Sequence, residues 1–260
     1  MRGPGSLGPV PPLRRFATAI ALVAPIFLVA FCFPPEGRTQ TAIQGFTVIP
    51  VTMELAAGER ARTLTIQNHT DREATFQVRP FAWSQAGGTD QLDATDGLLV
   101  SPPIGTLAPG SSQVVRLVLR KPADGREVSY RILLDQIPSQ PAPGQVGFIL
   151  RLSIPVFVEP AGRIAPQLRW AVESDGQGAS LVANNDGSRR QVVRDMRLVA
   201  DGRVLQLEPN VSPYVLAGSV RRWRILGQGP GPSASGTLRL TAHAETGEID
   251  QAVPVRRAGP

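Results

Sequence analysis

The clearest pattern in the chain is alternation. Leu64 and Ile66 stand apolar against Thr63 and Thr65, and similar periodicity recurs in segments from Phe46 to Val158. A period of two puts successive side chains on opposite faces of a pleated backbone, so these segments are predicted as β-strands at 46–55, 61–67, 74–81, 98–100, 113–119, 130–136 and 146–158. Turn chemistry separates them: Gly58, Asn68 to Arg72, Gly87 with Gly88, Asp93 to Gly97, Pro102 with Pro103, Pro109 with Gly110, and Pro138 to Gly144. Seven short strands of this kind suggest an immunoglobulin-like sandwich.

From Glu159 to Pro166 alternation stops and Pro160, Gly162 and Pro166 cluster, which marks a linker. A second strand series follows at 167–173, 179–183, 191–199, 204–207, 214–216, 220–226, 236–244 and 249–255, with Asp201-Gly202 as a hairpin turn. The fold class read from this is all-β, two immunoglobulin-like β-sandwich domains after an N-terminal signal segment. The extents are 1–40 for the leader, 41–160 for the first domain and 161–260 for the second.

The leader reading rests on Arg14 and Arg15 followed by an apolar run from Phe16 to Phe33. That run is near the length of a membrane span, so an uncleaved anchor stands beside cleavage as the alternative. Pro25 at its centre and the polar stretch Glu36 to Gln40 favour cleavage and a periplasmic location. Cys32, the only cysteine, lies inside the leader, so a mature chain would have no disulfide, thiolate metal site or cysteine nucleophile. The 260 residues carry a formal charge of +6, but the basic residues are mostly single arginines interspersed with acids, and no aromatic-interleaved basic patch points to nucleic acid.

Chemistry for catalysis is missing from the sequence. His69 falls in a predicted turn and His243 in the other domain, too few for a histidine triad or zinc site within one domain. No serine sits in a nucleophile elbow, and Asp93 and Asp96 flank a turn, where they read as turn formers. No cofactor, metal or small-molecule substrate is expected. The segment that stands out is 146–158, where Val146, Phe148, Leu150, Leu152 and Ile154 share one face and Gly147, Ile149, Arg151 and Ser153 the other. Such an apolar face either packs in its own core or serves another polypeptide.

Read in order, Ile66-Gln67-Asn68, Trp83-Ser84-Gln85, Ser101-Pro102-Pro103, Leu107-Ala108-Pro109-Gly110, Val115-Arg116-Leu117, Glu127 to Arg131, Gln136-Ile137-Pro138 and Ile154 to Pro160 resemble the N-terminal domain of PapD-like periplasmic pilus chaperones. Tyr130-Arg131 and Ile154-Pro155-Val156-Phe157-Val158 resemble the archaic, spore-coat-U-type branch, as do Asn184 to Gly187 and Tyr214 to Gly218 in the second domain. The resemblance implies a chaperone that binds pilus subunits by donor-strand complementation and delivers them to an outer-membrane usher, without ATP. The subunit-binding strand would present Val146, Phe148, Leu150, Leu152 and Ile154. The better-known P-pilus type anchors the subunit carboxylate with an Arg and a Lys, but the matching positions here hold Val51 or Pro50, and Pro155. The resemblance leaves Arg131 beside Tyr130, then Arg151 and Arg116, as anchor candidates, since an Arg fork suits a carboxylate. Arg116 also matches a structural Arg of the family, with Glu127 as its expected partner. Glu159 stands where the family has an Arg, so the domain angle is not predicted. Self-association of the free chain through the lending strand is left open. The alternatives are a pilus structural subunit or an immunoglobulin-like cell-surface binding module, and an enzyme is disfavoured.

Overall fold

Where polar and apolar residues alternate, the polar set turns outward and the apolar set meets an apolar set from a facing sheet. Leu64 and Ile66 are buried while Thr63 is exposed and Thr65 half-exposed, as the pattern requires. The computed structural model describes residues 45–138, 149–162, 164–174, 178–209, 211–227 and 238–257. The leader, and Val146 and Phe148 of the expected subunit-binding row, lie outside the described residues.

The first domain contains β1 (Phe46–Ile49), β2 (Met53–Leu55), β3 (Ala61–Asn68), β4 (Ala74–Ser84), β5 (Gln91–Ala94), β6 (Leu98–Ser101), β7 (Ile104–Leu107), β8 (Ser112–Leu119), β9 (Val128–Ile137) and β10 (Arg151–Val158). One sheet runs β1-β3-β8-β6; the other runs β2-β10-β9-β4-β5, with β7 added to β4. The core between them joins Val48, Leu64, Ile66, Val115 and Leu117 of the first sheet to Leu55, Phe76, Val78, Ile132, Leu134 and Val156 of the second. Burying each such side chain contributes roughly 1.5 to 3 kcal/mol before ordering costs.

The single strand expected over 46–55 is two. β1 pairs with β3, and β2 pairs in parallel with β10 in the opposite sheet. Pro50 stands between them and has no N–H to give to a ladder. Pro80, inside β4, sits where that strand's outer neighbour changes from β7, whose first residue Ile104 lies opposite Gln77, to β5, whose last residue Ala94 lies opposite Phe81. At that break no ladder donor is needed. The turn expected at Asp93 to Gly97 is likewise corrected, because Asp93 lies in β5, and β7 lies in a stretch with no strand assignment from the pattern.

The second domain contains β11 (Leu168–Ser174), β12 (Ala179–Asn185), β13 (Gln191–Ala200), β14 (Arg203–Leu207), β15 (Tyr214–Val215), β16 (Val220–Leu226), β17 (Leu238–Ala244), β18 (Gly247–Val253) and β19 (Val255–Arg257). They form one path, β18-β17-β13-β14-β16-β12-β11-β19, with β15 beside β13. The run expected at 249–255 is broken by Pro254, after which β19 leaves β18 and pairs with β11. Trp170 and Trp223 stack in the core at 5.7 Å between ring centroids.

A buried asparagine closes a turn in each domain by the same chemistry. Asn68 donates to the carbonyls of Arg72 and Leu107, and its side-chain oxygen accepts from the Thr70 N–H. Asn185 donates to the carbonyls of Arg189 and Val215, and its oxygen accepts from the Gln167 and Gly187 N–H groups. Gly187 is required there: a Cβ would lie 2.3 Å from the Ala165 carbonyl oxygen. The segment ahead of β11 therefore lies directly on the Asn185 turn.

Candidate functional site

β10 is bonded to β9 along its whole length but to β2 only from Val156 to Val158. Among the described residues, the backbone edge from Arg151 to Pro155 faces no other strand. Pro155 fits an edge position, since it cannot donate across a central ladder. β10 begins at Arg151 rather than at Val146, and the residues 149–150 ahead of it have no regular structure.

The apolar row expected over 146–154 divides along its length. Ile154 is 3% exposed and belongs to the domain's own core. Leu150 and Leu152 are half-buried and packed against that core. On the opposite face, Ile149 is 64% exposed and Arg151 projects into solvent.

The four anchor candidates are scattered. Arg151 is engaged with Asp135, which Arg79 also meets at 2.6 Å. The hydrogen bond from Arg151, with help from Arg79, holds the Asp135 carboxyl below its ordinary range. Arg116 lies exposed on β8, in the other sheet, opposite Thr63 and Ser101. Its expected partner Glu127 pairs instead with Arg190 of the second domain. Tyr130 is a core residue, with burial and the nearby Asp96 charge pushing its hydroxyl up. It faces away from Arg131, as adjacent strand residues must.

Arg131 lies in the cleft between the domains. Its Cζ is 3.7 Å from the centroid of the Trp83 ring and 5.9 Å from that of Tyr214. Register explains the first contact: Arg131 is opposite Phe81 on β4, and Trp83 is the next residue on the same face. From the second domain, Ser212 Oγ accepts a hydrogen bond from Arg131 Nη2 at 3.3 Å. Burial lowers the Arg131 pKa below its ordinary value, the neighbouring Asp90 charge opposing that effect. Among the described residues Arg131 has no ion pair, because Asp90 is held by Arg221 at 2.7 Å and by Gln85 at 2.9 Å. The half-buried Arg131 guanidinium thus keeps donor capacity of the kind that suits a carboxylate.

The cleft is fixed by contacts the sequence did not disclose. Trp83 and Phe157 pack on Tyr214 and Leu216, and Gln85 receives the Leu216 N–H while donating to the Tyr214 carbonyl. Deeper, Glu54, Glu127 and Glu159 of the first domain meet Arg189 and Arg190 of the second. Glu159 pairs with Arg189 at 2.7 Å, Glu127 with Arg190 at 2.5 Å, and Glu54 also reaches Arg190. Arg190 lies 3.6 Å from the Phe157 ring centroid. Burial pushes the Glu127 carboxyl up, and the Arg190 charge pulls it back. The adjacent Arg189-Arg190 pair was the available signal, but its partners lie on three separate segments of the other domain.

Residues 45–163 match the PapD N-terminal domain of pili and flagellar-assembly chaperones. Among solved structures, the chain is similar to a chain of the CsuC–CsuE chaperone–tip adhesion subunit pre-assembly complex from archaic chaperone-usher Csu pili of Acinetobacter baumannii. The identity is 21%, the TM-score 0.61, and the match covers 83% of this chain and 100% of that one. It is also similar to a chain of the Salmonella enterica SafA pilin–SafB chaperone complex (15%, TM-score 0.57, covering 82% and 98%) and to the YadV chaperone (15%, TM-score 0.56, covering 80% and 98%). Comparison with curated protein sequences finds no match.

Proposed function

We propose, from the match of residues 45–163 to the PapD-type chaperone N-terminal domain and from the two-domain fold shared with pilus chaperones, that the chain binds pilus subunits by donor-strand complementation in the periplasm and passes them to an outer-membrane usher. The observation that carries this reading is the free edge of β10 from Arg151 to Pro155, bordered by the half-buried Leu150 and Leu152. A partner strand added there continues the sheet by main-chain hydrogen bonds and covers the exposed part of these two leucines. The lending row is Val146, Phe148, Leu150 and Leu152, with Ile154 serving its own core. Because backbone pairing makes few demands on sequence, several subunits can be clients.

Arg131 is the anchor for the subunit's terminal carboxylate. Arg151 is engaged with Asp135, and Arg116 and Tyr130 lie away from the cleft, so none of the three serves. The role is binding, with no reaction and no cofactor of its own, and the N-terminal apolar segment acts as an export leader that is removed.

Co-purification of the leaderless chain with the products of neighbouring genes tests the proposal. A small pilin-like protein is expected with the parent chain and is lost with Leu150→Glu and with Arg131→Ala. Loss with Leu150→Glu alone moves the anchor away from Arg131, and retention by both variants overturns strand donation.

A further inference from the structure

Resting on the reading of Arg131 as a carboxylate anchor, the geometry points to Ser212 of the second domain as a second carboxylate ligand beside the Arg131 fork. The carboxylate is therefore held between the domains by one donor group from each.

Three observations converge. Arg131 Cζ lies 3.7 Å from the Trp83 ring centroid, so the indole occupies one side of the guanidinium and limits how the fork can turn. Trp83 is itself locked, 4% exposed and packed against Phe157 at 5.8 Å and Tyr214 at 5.5 Å between centroids. Ser212 is 7% exposed, and its Oγ accepts from Arg131 Nη2 at 3.3 Å. A hydroxyl that accepts in this way keeps its own proton to donate. Among the described residues it makes no other hydrogen bond, so that proton is available beside the guanidinium, where an incoming carboxylate oxygen can receive both.

The nearest carboxylate of the chain does not fill this place. Asp90 is held by Arg221 and Gln85, and Gln85 is held in turn by the backbone of Tyr214 and Leu216. The second domain thus acts twice at the anchor: it draws Asp90 aside and presents Ser212. Hydrogen bonds to a charged group are stronger than neutral ones, and loss of the Ser212 donor weakens carboxylate binding roughly tenfold.

The test uses the pilin-like subunit retained by the parent chain and the same subunit extended by two glycines, which moves its carboxylate. The readout is the preference for the native over the extended subunit, measured for the parent, Ser212→Ala, Ser212→Thr and Arg131→Ala, with tryptophan fluorescence and thermal melting to check folding. A preference reduced roughly tenfold by Ser212→Ala, restored by Ser212→Thr and abolished by Arg131→Ala supports the assignment. An unchanged preference in Ser212→Ala, with loss in Arg131→Ala, overturns the role of Ser212 and leaves Arg131 as sole anchor. Equal weakening toward both subunits makes Ser212 a structural residue and also overturns the assignment. If the parent retains no subunit, the proposed function fails and the assignment falls with it.

Discussion

Replacing Glu127 by alanine tests how the two domains are joined. The Glu127 side chain is fully buried and that of Arg190 is 2% exposed. Glu127 receives the Arg190 guanidinium at 2.5 Å and also its backbone N–H at 3.2 Å. The substitution leaves a buried cation with only Glu54, whose side chain is 46% exposed, and the face of Phe157. Breaking a buried pair by removing one partner costs about 3 to 5 kcal/mol. The two remaining contacts place this case near the lower end, about 3 kcal/mol, a large part of the 5 to 15 kcal/mol typical of a whole domain. At a urea dependence of about 2 kcal/mol per molar, the unfolding midpoint falls by about 1.5 M. Urea titration followed by tryptophan fluorescence reads it twice, because Trp83 lies in the cleft and Trp170 and Trp223 in the second core. The double replacement Glu127→Leu with Arg190→Met recovers most of the loss, since burial already works against the Glu127 charge. A Glu127→Ala midpoint within about 0.3 M of the parent would falsify this account of the interface.

Two further outcomes follow from other contacts. Asp135→Asn removes the partner of Arg79 and Arg151 and destabilises by up to about 1 kcal/mol at neutral pH. The folded Asp135 pKa is depressed, so its contribution is present above the ordinary carboxyl value of about 4 and is lost as pH falls through the folded value. Urea midpoints of parent and variant therefore converge in acid, and a constant gap from neutral pH into acid refutes the ion pairs as its cause. Gly187→Ala places a Cβ 2.3 Å from the Ala165 oxygen and 2.5 Å from the Gln167 nitrogen, both backbone atoms. Relieving the clash costs about 1 to 3 kcal/mol and lowers the melting temperature, and an unchanged melting curve shows that the linker is not held there.

The strands were legible wherever one face is wet and the other dry. β3, β8 and β9 announce themselves because core and solvent impose a strict period of two. β5 does not, because all four of its residues are exposed and only its hydrogen bonds to β4 make it a strand. The break at Pro50 was hidden because apolar residues continue on both sides of it, each half serving a different sheet. Within the candidate site, the family resemblance offered Arg131 only as one anchor candidate beside Arg151 and Arg116. Its place against Trp83, Ser212 and Tyr214 was not legible, because those contacts join segments far apart in the chain. The Arg116–Glu127 pairing failed for a related reason, since sequence order gives no hint that Arg190 arrives from the other domain to claim the carboxylate.

All three acids of the deep interface belong to the first domain and both cations to the second. This division makes the two halves a matched set in inheritance as well as in folding. A recombination that joined this first domain to a second domain with acids at the places of Arg189 and Arg190 would press five like charges together at the hinge. Each half could carry a sound core and the hybrid would still fail at the joint. A second domain exchanged at this junction would have to keep the same polarity.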